Sequence, residues 1–209
     1  MMDTQRKHVL IIEYWFRILL KDESLSFSDI TNIIIEFGKV VDRFDSEVIN
    51  KNDRLELKDD EGTILSLIEA EGLPQCAHGI FVAEPGAKYH WRIQMLTDCR
   101  MMNIGIDVDT AIVEKFNFFW LRKTGYSYYG NGAYWHKHAL NYPKGDAYGD
   151  KGDIIHVFLD LKEKYELSFG KNDHKFAKAF DVDESAKYKL FVSLIKEGKI
   201  QLLSLEVAY

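Results

Sequence analysis

Three groups of residues in this chain have the types that carry chemistry. The first is acidic. "GDAYGDKGD" (145–153) sets Asp146, Asp150 and Asp153 close together, and hard cations favour such oxygen clusters. Its spacing is not that of the twelve-residue calcium loop, and no bidentate Glu closes it; the turn chemistry of Gly and Asp accounts for the stretch. The second group holds Cys76, His78, His90 and Cys99, with His136 and His138 on one side of a strand in "WHKH". Zinc sites use tighter paired spacings, so these residues read as core and surface positions and no metal is expected. The third would be a nucleophile or a phosphate cradle. No Gly-rich loop opens a helix after a strand, and no Gly-x-Ser-x-Gly elbow occurs. Neither a cofactor nor an enzymatic activity is expected.

The most distinctive local feature is aromatic. In "DTAIVEKFNFFWLRKTGYSYYGNGAYWHKH" (109–138), Phe116, Phe118, Phe119, Trp120, Tyr126, Tyr128, Tyr129, Tyr134 and Trp135 crowd together. One reading makes them core: Tyr126 and Tyr128 alternate on a strand, and Phe118 or Trp120 plugs the end of a fold. The other makes some of them anchors for a partner, because Trp and Tyr give large contact area at small entropic cost.

Elements must exist to hold these residues. The chain is 46% apolar and 13% aromatic, enough for a packed core in 209 residues. Its net charge of -6 comes without a long basic run, so no nucleic-acid partner is expected. Cys76 and Cys99 are too few for a disulfide framework. The apolar run at 9–20 is too short to span a bilayer and contains Glu13 and Arg17. A soluble, cytoplasmic protein with no membrane partner is the expectation.

Up to about residue 43 the periodicity is helical. Val9, Ile12, Phe16, Leu19 and Leu20 fall on one face, and Ile30, Ile33, Ile34 and Phe37 on a second, after a capping box from Ser26 to Asp29. This predicts a helical hairpin over 1–43, packed on the rest of the chain or on a partner. From Phe44 the period becomes two. "RLELKDDEGTILSLI" reads as strand, turn and strand. "KYHWRIQML" puts Tyr89, Trp91, Ile93 and Met95 on one face, and Gly105 in "MNIGIDV" marks a bulge or a close backbone approach. "DIIHVFLDL" places Ile155, Val157, Leu159 and Leu161 on one face, "KEK" turns the chain, and "YELSF" returns it with Tyr165, Leu167 and Phe169 alternating. "GKND" is a tight turn. "YKLFVSLI" and "IQLLSLEV", joined by "KEGK", are expected to form a closing hairpin. Many short strands with turns between them predict an antiparallel sandwich over 44–209.

An ordered set of residues carries a resemblance. Gly152-Asp153, an apolar strand ending Leu159-Asp160, Leu167-Ser168-Phe169, the Asn172 turn and Ala179-Phe180 resemble the core signature of the SPRY domain. "YHWRI" (89–93), "IGI" (104–106), "GYSYYGNG" (125–132), Tyr148-Gly149 and "YKLFVSL" (188–194) are similar to its other strands. His156 and Asp173 depart from the family's usual glycines, and the segment between Tyr148-Gly149 and Gly152-Asp153 is shorter than usual. The resemblance implies a mainly β, concanavalin-like sandwich of two antiparallel sheets. It also implies a non-catalytic module that binds a peptide or loop of another protein through loops at one end. It places the 109–124 connection in the partner surface. The expected contact residues are Phe116, Phe118, Phe119, Trp120, Tyr129, Asn131, Tyr134, Trp135 and Asp146. Asp153 is expected to hold its own loop by accepting backbone hydrogen bonds. The alternative function is carbohydrate binding, since concanavalin-like sandwiches also host lectins; Trp135 near Asp146 is the pairing it would use.

Overall fold

The computed structural model describes residues 39–40, 42–46, 54–68, 74–111, 123–137, 139–141 and 145–209. The chain divides into two compact units, Met1–Val40 and Val41–Tyr209. The helical pair expected near the N-terminus lies outside the described residues up to residue 38. In the first unit Lys39–Val40 is a short strand, β1.

The second unit is built from thirteen strands among the described residues. They are β2 (Leu55–Leu57), β3 (Ile64–Leu67), β4 (Gln75–His78), β5 (Lys88–Met95), β6 (Met102–Val108), β7 (Tyr126–Tyr129) and β8 (Tyr134–His136). β9 (Ala139–Asn141), β10 (Ile154–Asp160), β11 (Glu166–Lys171), β12 (His174–Asp181), β13 (Tyr188–Leu194) and β14 (Gly198–Ala208) follow. A large sheet runs in the order β12-β11-β10-β5-β14-β3-β2 and a small sheet in the order β4-β13-β6-β7-β8-β9. The registered pairs within both are antiparallel.

The period-two stripes become the core. In β5 the side chains of Tyr89, Trp91, Ile93 and Met95 are buried while their neighbours are partly exposed. Ile155, Val157 and Leu159 of β10 repeat the pattern one strand over. Aromatic rings join the two sheets. Tyr126 of β7 meets Phe180 of β12 at 5.3 Å, and Tyr128 and Tyr134 meet Phe169 of β11 at 5.3 and 5.5 Å. The sheets therefore pack face to face over an aromatic interior.

Two expectations change. β13 and β14 do not pair: β13 lies between β4 and β6 in the small sheet, and β14 between β5 and β3 in the large one. "KEGK" is a crossing between sheets, not a hairpin turn. Both strands carry apolar runs because each is central in its own sheet. The run in β14 also contains a register shift between Leu202 and Ser204, which brings Ile200, Leu202 and Leu205 to the core and leaves Leu203 exposed. The second change is at Tyr165. It precedes β11 with a φ of 50° and does not alternate with Leu167. The turn is set earlier, where Asp160 Oδ1 accepts the amides of Lys162 and Glu163 at 3.0 and 2.9 Å.

Two glycines are dictated by space. A Cβ on Gly105 would sit 1.9 Å from the carbonyl oxygen of Tyr126, the close approach its place in a strand suggests. Gly149 has a φ of 115°, and a Cβ there would lie 2.4 Å from the Cys99 carbonyl oxygen.

Candidate functional site

The strand directions sort the loops into two ends. β6 and β7 are antiparallel, with Asn103 opposite Tyr129 and Ile106 opposite Tyr126. The turn at 130–133 therefore lies beside Arg100 and Met101, before β6, and the stems Asp109–Ala111 and Lys123–Gly125 lie at the other end. Backbone hydrogen bonds tie the first end together. Gly130 donates to Met102 O, Tyr148 to Gly130 O, Cys99 to Gly149 O, and Asn172 to Ile154 O. At the second end Asp109 donates to Lys187 O and Ala83 to Tyr188 O. Thr124 Oγ1 also donates to Asp107 Oδ1 at 2.7 Å there.

The expected contact residues divide along this line. Phe116, Phe118, Phe119 and Trp120 lie outside the described residues, and both stems of their connection rise from the Thr124 end. Asn131 and Asp146 are exposed at the opposite end, and Tyr129 is half-buried where β7 reaches it. Tyr134 is 3% exposed and packs on Tyr128, Phe169 and Phe180, so its ring belongs to the interior. Trp135 is half-buried in the middle of β8, against Cys76 and Phe191. Asp146 pairs with His174 at 3.5 Å.

The Asn131 end is a stiff scaffold carrying polar groups. Asn131 Oδ1 accepts the Ala133 amide at 2.9 Å, closing the turn on itself. Asp153 Oδ2 accepts the amides of Gly149 and Asp150 at 3.0 and 3.1 Å, the role expected of it, and Lys171 lies 3.2 Å from the same oxygen. Tyr148 is fully buried and donates to Tyr128 O at 2.7 Å. Tyr128 in turn donates to Asp146 O. Asn172 takes a φ of 52° and caps Ile154 N with its own Oδ1 at 2.9 Å, so Asp173 fills the second turn position without strain. From this frame Arg100 and Asp150 project as an exposed pair at 2.6 Å. A recess of about 310 Å³ between Asp98, Arg100, Met101, Lys196 and Glu197 opens beside them.

The electrostatics of this end do not favour nucleophilic chemistry. Cys99 borders the recess but is 3% exposed, and burial pushes its thiol up to about 11, which keeps it protonated. Among the described residues, no cluster of His, Cys, Asp or Glu has the makings of a metal site. No helix among them is long and apolar enough to cross a membrane.

One structural carboxylate was not legible in the sequence. Asp42 is fully buried, where Trp91 Nε1 donates to its Oδ2 and the amides of Arg43 and Phe81 donate to its Oδ1, each at 2.9 Å. Burial raises its pKa to about 6 against those hydrogen bonds. Its only sequence signal was the Trp in "YHWRI", whose indole N–H needs an acceptor once buried.

The fold is that of an SPRY-like β-sandwich. Among solved structures, the SPRY domain of human HERC1 matches with a TM-score of 0.61 at 22% identity, over 77% of this chain and 97% of that one. The TRIM65 PSpry domain matches at 0.57 and 10% identity, over 81% and 90%. Stonustoxin matches at 0.59 and 14% identity over 81% of this chain, which spans 28% of the toxin chain. The chain matches no protein-family model and no curated protein sequence.

Proposed function

We propose that this chain is a non-catalytic interaction module that holds a peptide or loop of a partner protein against the Asn131 end of the sandwich. The observation that carries the reading is the construction of that end. The turns at 130–133, 145–153 and 172–173 are pinned by hydrogen bonds within and between them, while Asn131, Asp146, Arg100 and Asp150 remain exposed. Stiff loops that present polar groups bind with little ordering cost. Tyr129, half-buried at the rim, supplies the aromatic edge of the patch. The likeness to the SPRY domains of human HERC1 and TRIM65 supports an interaction role over catalysis. A cytoplasmic setting belongs to the same proposal.

The test is affinity capture from cell lysate with the wild type and the Asn131→Ala/Asp146→Ala double variant in parallel. A partner retained by the wild type and lost by a variant of equal melting temperature supports the reading. Identical capture by both refutes the assignment to this end. A glycan array in which the wild type binds a defined sugar would replace protein recognition with carbohydrate recognition.

A further inference from the structure

Away from both ends, the outer face of the large sheet carries a ring stack. The rings of His90 on β5 and Phe158 on β10 lie 4.2 Å apart at 16°, and His156 is within 7° of parallel to Phe158. His90 Nε2 and His156 Nδ1 share a hydrogen bond of 2.8 Å, and His90 Nδ1 lies 3.3 Å from Glu206 on β14. A cleft of about 470 Å³ runs beside the stack.

Two cations on this face have no carboxylate partner among the described residues. Lys175 on β12 places its ammonium 4.2 Å over the Phe158 ring. Arg92 stands cross-strand from His156 and Ser204, with its Nε shut off from solvent and without an acceptor. The nearby acids are already matched. Asp160 and Glu163 hold Lys88 at 3.2 and 2.7 Å, Glu166 faces Lys164 at 3.7 Å, and Glu206 faces His90.

We propose that this face is a second binding site, for an acidic segment of a partner protein whose carboxylates meet Arg92 and Lys175. Arg92 on β5 and Lys175 on β12 stand on one level of the sheet, through His156 and Gly170, with β10 and β11 between them, and Lys175 reaches back over the Phe158 ring. Two cations carried on separate strands suit a ligand with more than one carboxylate.

The imidazoles make the site respond to pH. The neutral pair is satisfied when His90 donates Nδ1–H to Glu206 and accepts His156 Nδ1–H at Nε2. Burial holds both imidazoles below their ordinary range. For His156 the His90 ring and Arg92 add to it, and the Asn172 backbone and Asp173 oppose; for His90, Glu206 opposes while Arg92 and Lys175 add. A bound carboxylate favours the charged form, so binding takes up a proton and tightens as pH falls.

Fluorescence anisotropy on the full chain tests this, with a labelled peptide of alternating Glu and Ser and its Gln/Ser counterpart. At about pH 6 the Glu peptide binds roughly tenfold more tightly than the Gln peptide, and its affinity falls about fivefold by about pH 7.5. Lys175→Gln and Arg92→Gln each weaken it about fivefold, and Arg92→Lys restores part of the loss. His156→Gln flattens the pH dependence. Asn131→Ala leaves the affinity unchanged, which separates this site from the loop end. Equal binding of the two peptides overturns the proposal. So does wild-type affinity in both Lys175→Gln and Arg92→Gln, or inorganic phosphate binding without any preference for the Glu peptide. Lys175 is exposed, so its variant decides the matter if Arg92→Gln melts early.

Discussion

Removing the buried carboxylate of Asp42 gives a pH signature that few other positions can produce. In Asp42→Ala, Trp91 Nε1 and the amides of Arg43 and Phe81 lose their acceptor inside the fold. Orphaning three buried donors costs about 3–6 kcal/mol. Against this, the ionised group itself is unfavourable. Its pKa is about 6 when folded against the ordinary 3.8, so at neutral pH its burial costs about 3 kcal/mol relative to the protonated form. The variant should therefore be destabilised by roughly 2 kcal/mol at about pH 7, a drop of some 4–8 °C in Tm. The sign with pH follows from linkage. A carboxyl whose folded pKa is raised destabilises above that value, and the penalty is relieved as pH falls through about 6 toward 3.8. Between about pH 7 and about pH 5 the wild type gains about 1.3 kcal/mol from this group, a gain the variant lacks. The histidines held low, His90, His136 and His156, lose stability over the same range. They are common to both proteins and cancel in the difference. Urea denaturation of the pair at the two pH values measures it. A difference that is flat or shrinks toward acid would show that Asp42 does not titrate high.

Four further outcomes are expected. Gly105→Ala should lose about 3 kcal/mol or more, because a Cβ there meets the Tyr126 carbonyl at 1.9 Å; chemical denaturation reads the loss. Ile155→Ala or Leu159→Ala should cost about 2–5 kcal/mol, and Trp135→Ala, half-buried on the small sheet, should cost less than either in the same assay. Asn172→Ala should cost about 1–2 kcal/mol by removing the acceptor for Ile154 N and straining a φ of 52°. Asn172→Gly should recover only the strain. Cys99, buried and pushed up to about 11, should resist iodoacetamide in the native protein and react promptly in urea, as mass spectrometry of the Cys99 peptide would show.

Much of the sandwich was legible because period-two burial is a local signal. Trp91 and Ile93 in β5, and Val157 and Leu159 in β10, were each placed on one face by alternation, and those are the buried faces. Asp153 and Asn172 were also readable, since each acts on backbone a few residues away or in the adjoining turn. What alternation does not encode is the partner of a strand. β13 and β14 look like a hairpin because a short Gly-containing link joins them, yet each is sandwiched between other strands. The same blindness hid the pairs distant in sequence: Asp42 with Trp91, and His90 with His156. It also merged the loop ends. The stem at Lys123–Gly125 and the turn after Tyr129 are neighbours in sequence, but a four-residue strand, β7, puts them at opposite ends.

That division of the ends allows the most direct test of the interaction reading. A photo-cross-linking side chain is placed either at position 131, in place of Asn131, or at position 187, in place of Lys187 beside Glu84 at the other end. Both proteins are irradiated with the captured partner, and the adducts are mapped by mass spectrometry. The account predicts adducts from position 131 and none from position 187. Adducts from position 187 alone would move the partner surface to the Thr124 end and contradict the assignment.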